Sequence, residues 1–177
     1  MTAHVARLNI ETEIPTSVDP ESLKSAMRRV AGGVSVITAG RGDERTGATV
    51  TSATALSVDP ATMIVNINRS SSSWPAIRDA RHFCVNILSD EQQAVADRFA
   101  GRGGLKGVER YAGARWITLA SGAAALEDAL TAIDCVVEET IERHSHAIII
   151  GRVVAVHVGP EGRPLVYSQG RYARLEG

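Results

Sequence analysis

The sequence predicts a mainly β protein with a few helices, closed as a β-barrel rather than spread as a parallel sheet. Three observations carry that expectation. Short runs rich in Val, Ile and Thr recur between Gly- and Ser-rich breaks. Two longer apolar segments, one around residues 133–141 and one over 147–158, flank a polar link and read as a long hairpin. No alternation of strand with crossover helix is present. The chain has 177 residues, which suits one domain with a full core, expected over residues 19–177 behind an N-terminal arm of residues 1–18.

The elements follow in order. Asp19-Pro20-Glu21 starts a helix: a side-chain acceptor at the cap, proline in the first turn, and an acid at the positive end of the dipole. Leu23, Met27 and Val30 form its apolar stripe until Gly32-Gly33 stop it. Residues 34–38 are a strand, and Gly40 to Asp43 a turn. Ala48 to Leu56 reads as a Thr-rich strand, and Met63 to Asn68 as another. Ser73 caps a short helix over Trp74 to Ala80, with Pro75 tolerated in its first turn. His82 to Leu88 is a strand. Ser89 to Gln92 opens a helix carrying Ala94, Val95, Arg98 and Phe99. Residues 101–107 hold four glycines and read as a flexible loop. Ile133, Cys135, Val137 and Ile141 alternate with polar neighbours, and Glu142-Arg143-His144-Ser145 links them to the strand over 147–158.

Composition excludes several classes of function. Net charge is −1, and 17 Arg and 2 Lys are dispersed among 20 acids, so no basic stripe points to nucleic acid. The seven aromatics (two Phe, two Trp, three Tyr) are too few for a base-stacking surface. No run of about 18 apolar residues marks a membrane span. Residues 1–18 lack the continuous apolar core of a signal peptide, which predicts a cytoplasmic protein. Cys84 and Cys135 sit in apolar runs without CxxC spacing and read as buried thiols in a reducing compartment.

Three patches carry candidate chemistry. Gly47 to Thr54 offers small hydroxylated residues that let a ligand approach the backbone, or it is an ordinary Thr-rich strand. Asn68-Arg69-Ser70-Ser71-Ser72-Ser73 ends a strand and precedes a helix. Hydroxyls, a guanidinium and the helix dipole suit a phosphate there, and a plain capped loop is the alternative. His144-Ser145-His146 places two imidazoles on one strand face. They are a weak start for a metal site, a solvated hairpin tip, or one substrate-touching histidine. No metal is expected. Arg98, Arg102 and Lys106 flank the glycine-rich loop, either at a nucleotide phosphate or in solvent.

Taken together, these patches resemble the short-chain flavin reductases of the FMN-binding split-barrel superfamily. The resemblance rests on residues 27–38 (MRRVAGGVSVIT), 47–52 (GATVTS), 56–60 (LSVDP), 68–77 (NRSSSSWPAI), 83–88 (FCVNIL), 146–153 (HAIIIGRV), and 164–167 with 170–172 (PLVY, GRY). It implies a homodimeric split β-barrel of Greek-key type with FMN, or alternatively FAD, near the subunit interface. By the same resemblance Thr49, Val50, Thr51, Ser52, Ala55 and Leu56 would lie along the isoalloxazine. Asn68, Arg69, Ser70 and Ser73 would approach the phosphate, and His146 would position the nicotinamide of NADH or NADPH. The implied activity is NAD(P)H:flavin oxidoreduction, with the reduced flavin passed to a flavin-dependent monooxygenase or, alternatively, used directly on a corrinoid. A non-catalytic flavin- or haem-binding module and a His144/His146 metal enzyme are the rival readings. Stacking walls for a flavin would come from Trp74, Trp116, Tyr167 or Tyr172.

Overall fold

The computed structural model describes residues 17–175, so nearly all of the expected arm lies outside the described residues. Helix α1 (Pro20–Met27) begins as predicted, with the Asp19 carboxylate accepting from the Ser22 amide at 3.0 Å. It stops at Met27, short of Gly32. Leu23, Met27 and Val30 are each more than half exposed, so the apolar stripe has no core of its own to bury it.

The remaining elements are β1 (Gly32–Gly33), β2 (Ser35–Ala39), β3 (Thr46–Val50), β4 (Thr54–Val58), β5 (Ala61–Asn68), α2 (Ser73–Ala80), β6 (His82–Ile87) and α3 (Gln93–Phe99). They are followed by β7 (Trp116–Thr118), β8 (Ala124–Leu126), β9 (Thr131–Arg143), β10 (His146–Val158), β11 (Val166–Ser168) and β12 (Arg171–Ala173). Seven strands form one antiparallel sheet in the order β3-β2-β6-β9-β10-β5-β4. β1, β11 and β12 make a small second sheet, and β7 and β8 a two-stranded hairpin.

Curvature comes from the two longest strands. β9 and β10, 13 residues each, slip register twice along their pairing, and such bulges bend a strand and increase its twist. Gly151 sits at one slip. A Cβ there would lie 2.6 Å from the Phe83 ring, so glycine lets the aromatic pack on bare backbone. Inside the curl Ile37, Val65, Ile67, Trp74, Ile77, Phe83, Val85 and Ile149 form the main core under α2. Burying each such side chain contributes about 1.5–3 kcal/mol.

A second core holds Val34, Val36, Leu88, Phe99, Tyr111, Leu126 and Leu165. Its aromatics pack edge to face, Phe99 against Tyr111 at 5.0 Å and Tyr111 against Trp116 at 4.8 Å between centroids. Under β7–β8 the sheet presents polar residues, and Asn86 and Asp134 there are hydrogen-bonded within the protein. Asn86 donates to the Val36 carbonyl at 2.9 Å and accepts from the Leu126 amide at 2.7 Å. Asp134, fully buried, accepts from the Ser121 amide at 2.6 Å and from its hydroxyl.

Several expectations are corrected locally. The Thr-rich stretch is two strands with a break at residues 51–53, because β3 pairs with β2 and β4 with β5. Ser72, not Ser73, occupies the cap position of α2. Ser73 is buried inside the first turn, its hydroxyl 2.7 Å from that of Ser71. The glycine-rich segment is ordered into 3-10 turns at Arg102–Gly104 and Gly107–Tyr111. The hairpin link shrinks to His144-Ser145. Both thiols are free and buried: burial raises Cys84 well above the ordinary thiol value and pushes Cys135 up to about 12.

Candidate active site

β3 is an edge strand, and the chain leaves it at Thr51 before turning into β4. The amides of Thr51, Ser52 and Ala53 thus belong to no ladder pair and meet no other backbone acceptor among the described residues. They are donors in search of a partner. Gly47 makes the approach from behind possible. A Cβ there would stand 2.3 Å from the Ile37 carbonyl and 2.9 Å from the Phe99 ring, so only glycine lets α3 lie against this strand.

A cleft of about 420 Å³ opens along this segment, within the range of small-molecule sites. Ala48 to Ser52 form one wall, and Asn66, Asn68 and Ser71 form the other with His146. Asn66 and Asn68 point outward because β5 alternates, with Val65 and Ile67 turned into the core. His146 lies directly across from Asn68 in the β5–β10 pairing, which brings two distant sequence patches together. Phe99, Ala100 and Arg110 close the end.

Two further hollows share the same strand. One, about 240 Å³, runs from Thr49–Thr51 to Arg102, Tyr167 and Tyr172. The other, about 840 Å³, runs from Thr51–Ser52 to α1 and the β11–β12 turn. Tyr167 and Tyr172 form an edge-on pair at 5.4 Å, and Arg102 lies 5.7 Å over the Tyr172 ring while pairing with Asp97 at 3.0 Å. Burial, with the Asp97 charge behind it, raises the Tyr172 phenol above its ordinary value, so it stays protonated at neutral pH.

The sequence-derived candidates separate into two groups. Thr49, Val50, Thr51, Ser52, Asn68 and His146 share one cleft. Within it the hydroxyls are not equivalent. Thr49 donates to the Ala96 carbonyl at 2.6 Å and so ties α3 to β3, and Ser52 donates to the Asn66 carbonyl at 3.1 Å.

The others stand elsewhere. Ala55 and Leu56 are exposed on β4, because that strand covers no core on its outer side. Ser73 is buried in α2, and Ser70 donates to the Asn68 carboxamide oxygen through amide and hydroxyl, both at 2.9 Å. Arg69 turns toward the β9–β10 hairpin, 2.6 Å from Glu142 and 3.2 Å from the His144 carbonyl. Trp74 and Trp116 pack in the interior instead of walling the cleft. His144 sits in the turn with φ of 49°, so the two imidazoles do not share a strand face.

Arg110, like Asn66, is a cleft residue that sequence reasoning missed. It donates to the Gly47 carbonyl at 2.6 Å and the Leu105 carbonyl at 3.0 Å. Its neighbour Tyr111 is buried and donates to the Thr46 carbonyl at 2.7 Å, which fixes the segment against β3. The signal was present as an aromatic beside an arginine after the glycines, obscured by the loop composition around it.

A curled antiparallel sheet with a hydroxyl-lined cleft at its edge strand is the architecture of a split-barrel protein. The comparisons carry this further: the chain belongs to the flavin reductase-like domain family, which matches residues 27–176. A relative in Methylorubrum extorquens (strain PA1), named FMN reductase (NADH) RutF 1, is 37% identical over 168 residues, covering 93% of this chain and 81% of that protein. A flavin reductase domain protein from Arthrobacter sp. FB24 superposes with a TM-score of 0.80 at 32% identity, covering 89% of this chain and 96% of that one. BorF, the flavin reductase component of a bacterial two-component tryptophan halogenase, superposes with a TM-score of 0.81 at 27% identity, covering 90% and 99%.

Proposed function

We propose that the cleft along Thr49–Ser52 binds FMN and that the chain is an NADH-dependent flavin reductase whose product serves a flavin-dependent monooxygenase. The observation that carries the site is the run of amides at Thr51–Ala53 without a backbone partner, adjoining a cleft of cofactor size that Thr51 and Ser52 line. FMN bound there supplies the hydride acceptor, and the family membership supports that assignment. The amides of residues 51–53 and the Thr51 hydroxyl would hold the polar edge of the ring and stabilise the negative charge that reduction puts on it. Asn68, Ser71 and Arg110 would meet the phosphate, Arg110 taking the role expected of Arg69. His146 would orient the nicotinamide. Proximity of the two rings supplies much of the acceleration, so no acid–base pair is needed.

A homodimer fits the surface. Leu23, Met27 and Val30 of the α1 region, Leu56 and Val58 of β4, and Val156 and Val158 of β10 are all exposed, an unusual amount of aliphatic surface for a monomer. Ala55 and Leu56 would reach a flavin only across such an interface. Residence in the cytoplasm is supported by the two free thiols. No helix among the described residues is long and apolar enough to cross a membrane.

The test is absorbance at 340 nm with NADH and added FMN, alongside sedimentation for the dimer. Flavin-dependent loss of NADH is expected. Flavin binding with no NADH oxidation would instead mark a non-catalytic flavin module and overturn the enzymatic reading.

A further inference from the structure

The hairpin that delivers His146 is held in an unusual way. Strands of 13 residues are joined by only His144 and Ser145, and His144 adopts φ of 49°, the left-handed region that apart from glycine is occupied mostly by asparagine, aspartate and histidine. Both carbonyls of this turn are taken by one residue of the neighbouring loop. The Arg69 guanidinium donates to the His144 carbonyl at 3.2 Å, and the Arg69 amide donates to the Ser145 carbonyl at 2.8 Å. Glu142 then fixes the same guanidinium through a 2.6 Å contact. Ser145, so anchored, brings its hydroxyl to 2.8 Å from Nδ1 of His146. His146 lines the cleft, and its Nδ1 is the ring nitrogen turned back on the turn.

We propose that Ser145 and Arg69 are positioning residues for His146: the Ser145 hydroxyl donates to Nδ1, which places the imidazole proton on Nε2 facing the cleft. The hydrogen bond made by one ring nitrogen sets the proton on the other. A neutral imidazole with Nε2–H offers one donor to an acceptor such as a carboxamide oxygen. Arg69 acts one step further back, closing the turn whose backbone carries Ser145. This rests on the reading of His146 as the nicotinamide-facing residue, and it gives Arg69 a purpose other than phosphate binding.

Two readouts test it in the full-length protein. In protein labelled with 15N-histidine, the His146 ring should show the Nε2–H form. Ser145→Ala should move it toward a mixture of the two tautomers, and Ser145→Thr should restore it. In steady-state assays Ser145→Ala should lower kcat/KM for NADH about three- to tenfold, the size of one lost hydrogen bond, with FMN affinity unchanged. Arg69→Ala should act in the same direction, and Arg69→Lys should recover only part of the loss because a single nitrogen lacks the rigid fork with which the two guanidinium nitrogens reach the His144 carbonyl and Glu142 separately.

Unchanged 15N signals in Ser145→Ala overturn the positioning role whatever the kinetics show. A shifted tautomer with normal NADH kinetics in both Ser145→Ala and His146→Ala overturns the reading of His146 itself. Normal kinetics in Ser145→Ala beside impaired His146→Ala sinks only the proposal for Ser145.

Discussion

The cleft wall and the sheet face beneath β7–β8 are built from the same kinds of residue and behave in opposite ways. Thr38, Asn86, Ser121 and Asp134 are buried, and their polar atoms are spent inside the protein. Thr51, Ser52, Asn66 and Asn68 are at least partly exposed, and the amides beside them are unpaired. The first set rigidifies a hairpin against the sheet, because any buried polar group left without a partner is costly. The second set is only partly engaged: Ser52 donates to the Asn66 carbonyl and the Asn68 oxygen accepts from Ser70. Exposure to solvent makes the remaining unpaired groups cheap to keep available for a ligand. Residue type does not decide between the two uses. Exposure and the presence of a ready partner do.

The largest expected effect breaks the satisfied face. Asp134→Ala removes the acceptor of the Ser121 amide and hydroxyl, and should lower stability by about 3 kcal/mol, read as a shifted urea midpoint. FMN affinity of the folded fraction should not change, because neither Asp134 nor Ser121 lines the cleft; a large fall in affinity would show that the two regions are coupled. Gly47→Ala acts on the cleft strand itself. Its methyl would collide with the Ile37 carbonyl and Phe99, so a loss of about 1–3 kcal/mol is expected together with weaker FMN binding.

Smaller effects sharpen the cleft side. Arg110→Gln should raise the FMN dissociation constant about tenfold, since a bond to a charged group contributes about 1.5–3 kcal/mol, and should also lower the melting temperature, because its bonds to the Gly47 and Leu105 carbonyls are lost with it. Fluorescence titration checks this, and an unaltered constant would remove Arg110 from the phosphate site. His146→Ala should impair NADH use with FMN binding intact.

The smallest effect is a pH dependence. Burial, with the Arg41 charge adding to it, holds His82 below the ordinary histidine value. Unfolded histidine titrates near pH ~6.5, so below that value the unfolded chain takes up a proton that folded His82 resists. Stability from this residue is therefore complete above pH ~6.5 and falls as the pH drops. The wild type should lose more melting temperature between pH 7.5 and 5.5 than His82→Gln, and equal losses would exclude the effect.

Much of the fold was legible because its determinants are local. Asp19-Pro20 starts α1 by capping chemistry within one turn, and the alternation of residues 133–141 is the pleat of β9 itself. Small residues at 47–52 marked the cleft strand, where Gly47 leaves room for Phe99 and the Ile37 carbonyl. Local logic failed where a partner lay far along the chain. Arg69 reads as a phosphate ligand until Glu142 and the His144 carbonyl, more than 70 residues away, are found beside it. Arg110 reads as loop filler until Tyr111 docks under Thr46.

By itself, then, the sequence determined most of the strands, the start of α1 and the buried thiols, because periodicity and backbone sterics act over a few residues. The tertiary structure alone decided which hydroxyls and guanidiniums remain free to meet a ligand. A hydrogen-bonding group is consumed by whichever partner lies within about 3 Å, and that is fixed by pairings such as Asn68 with His146, which only the folded sheet creates.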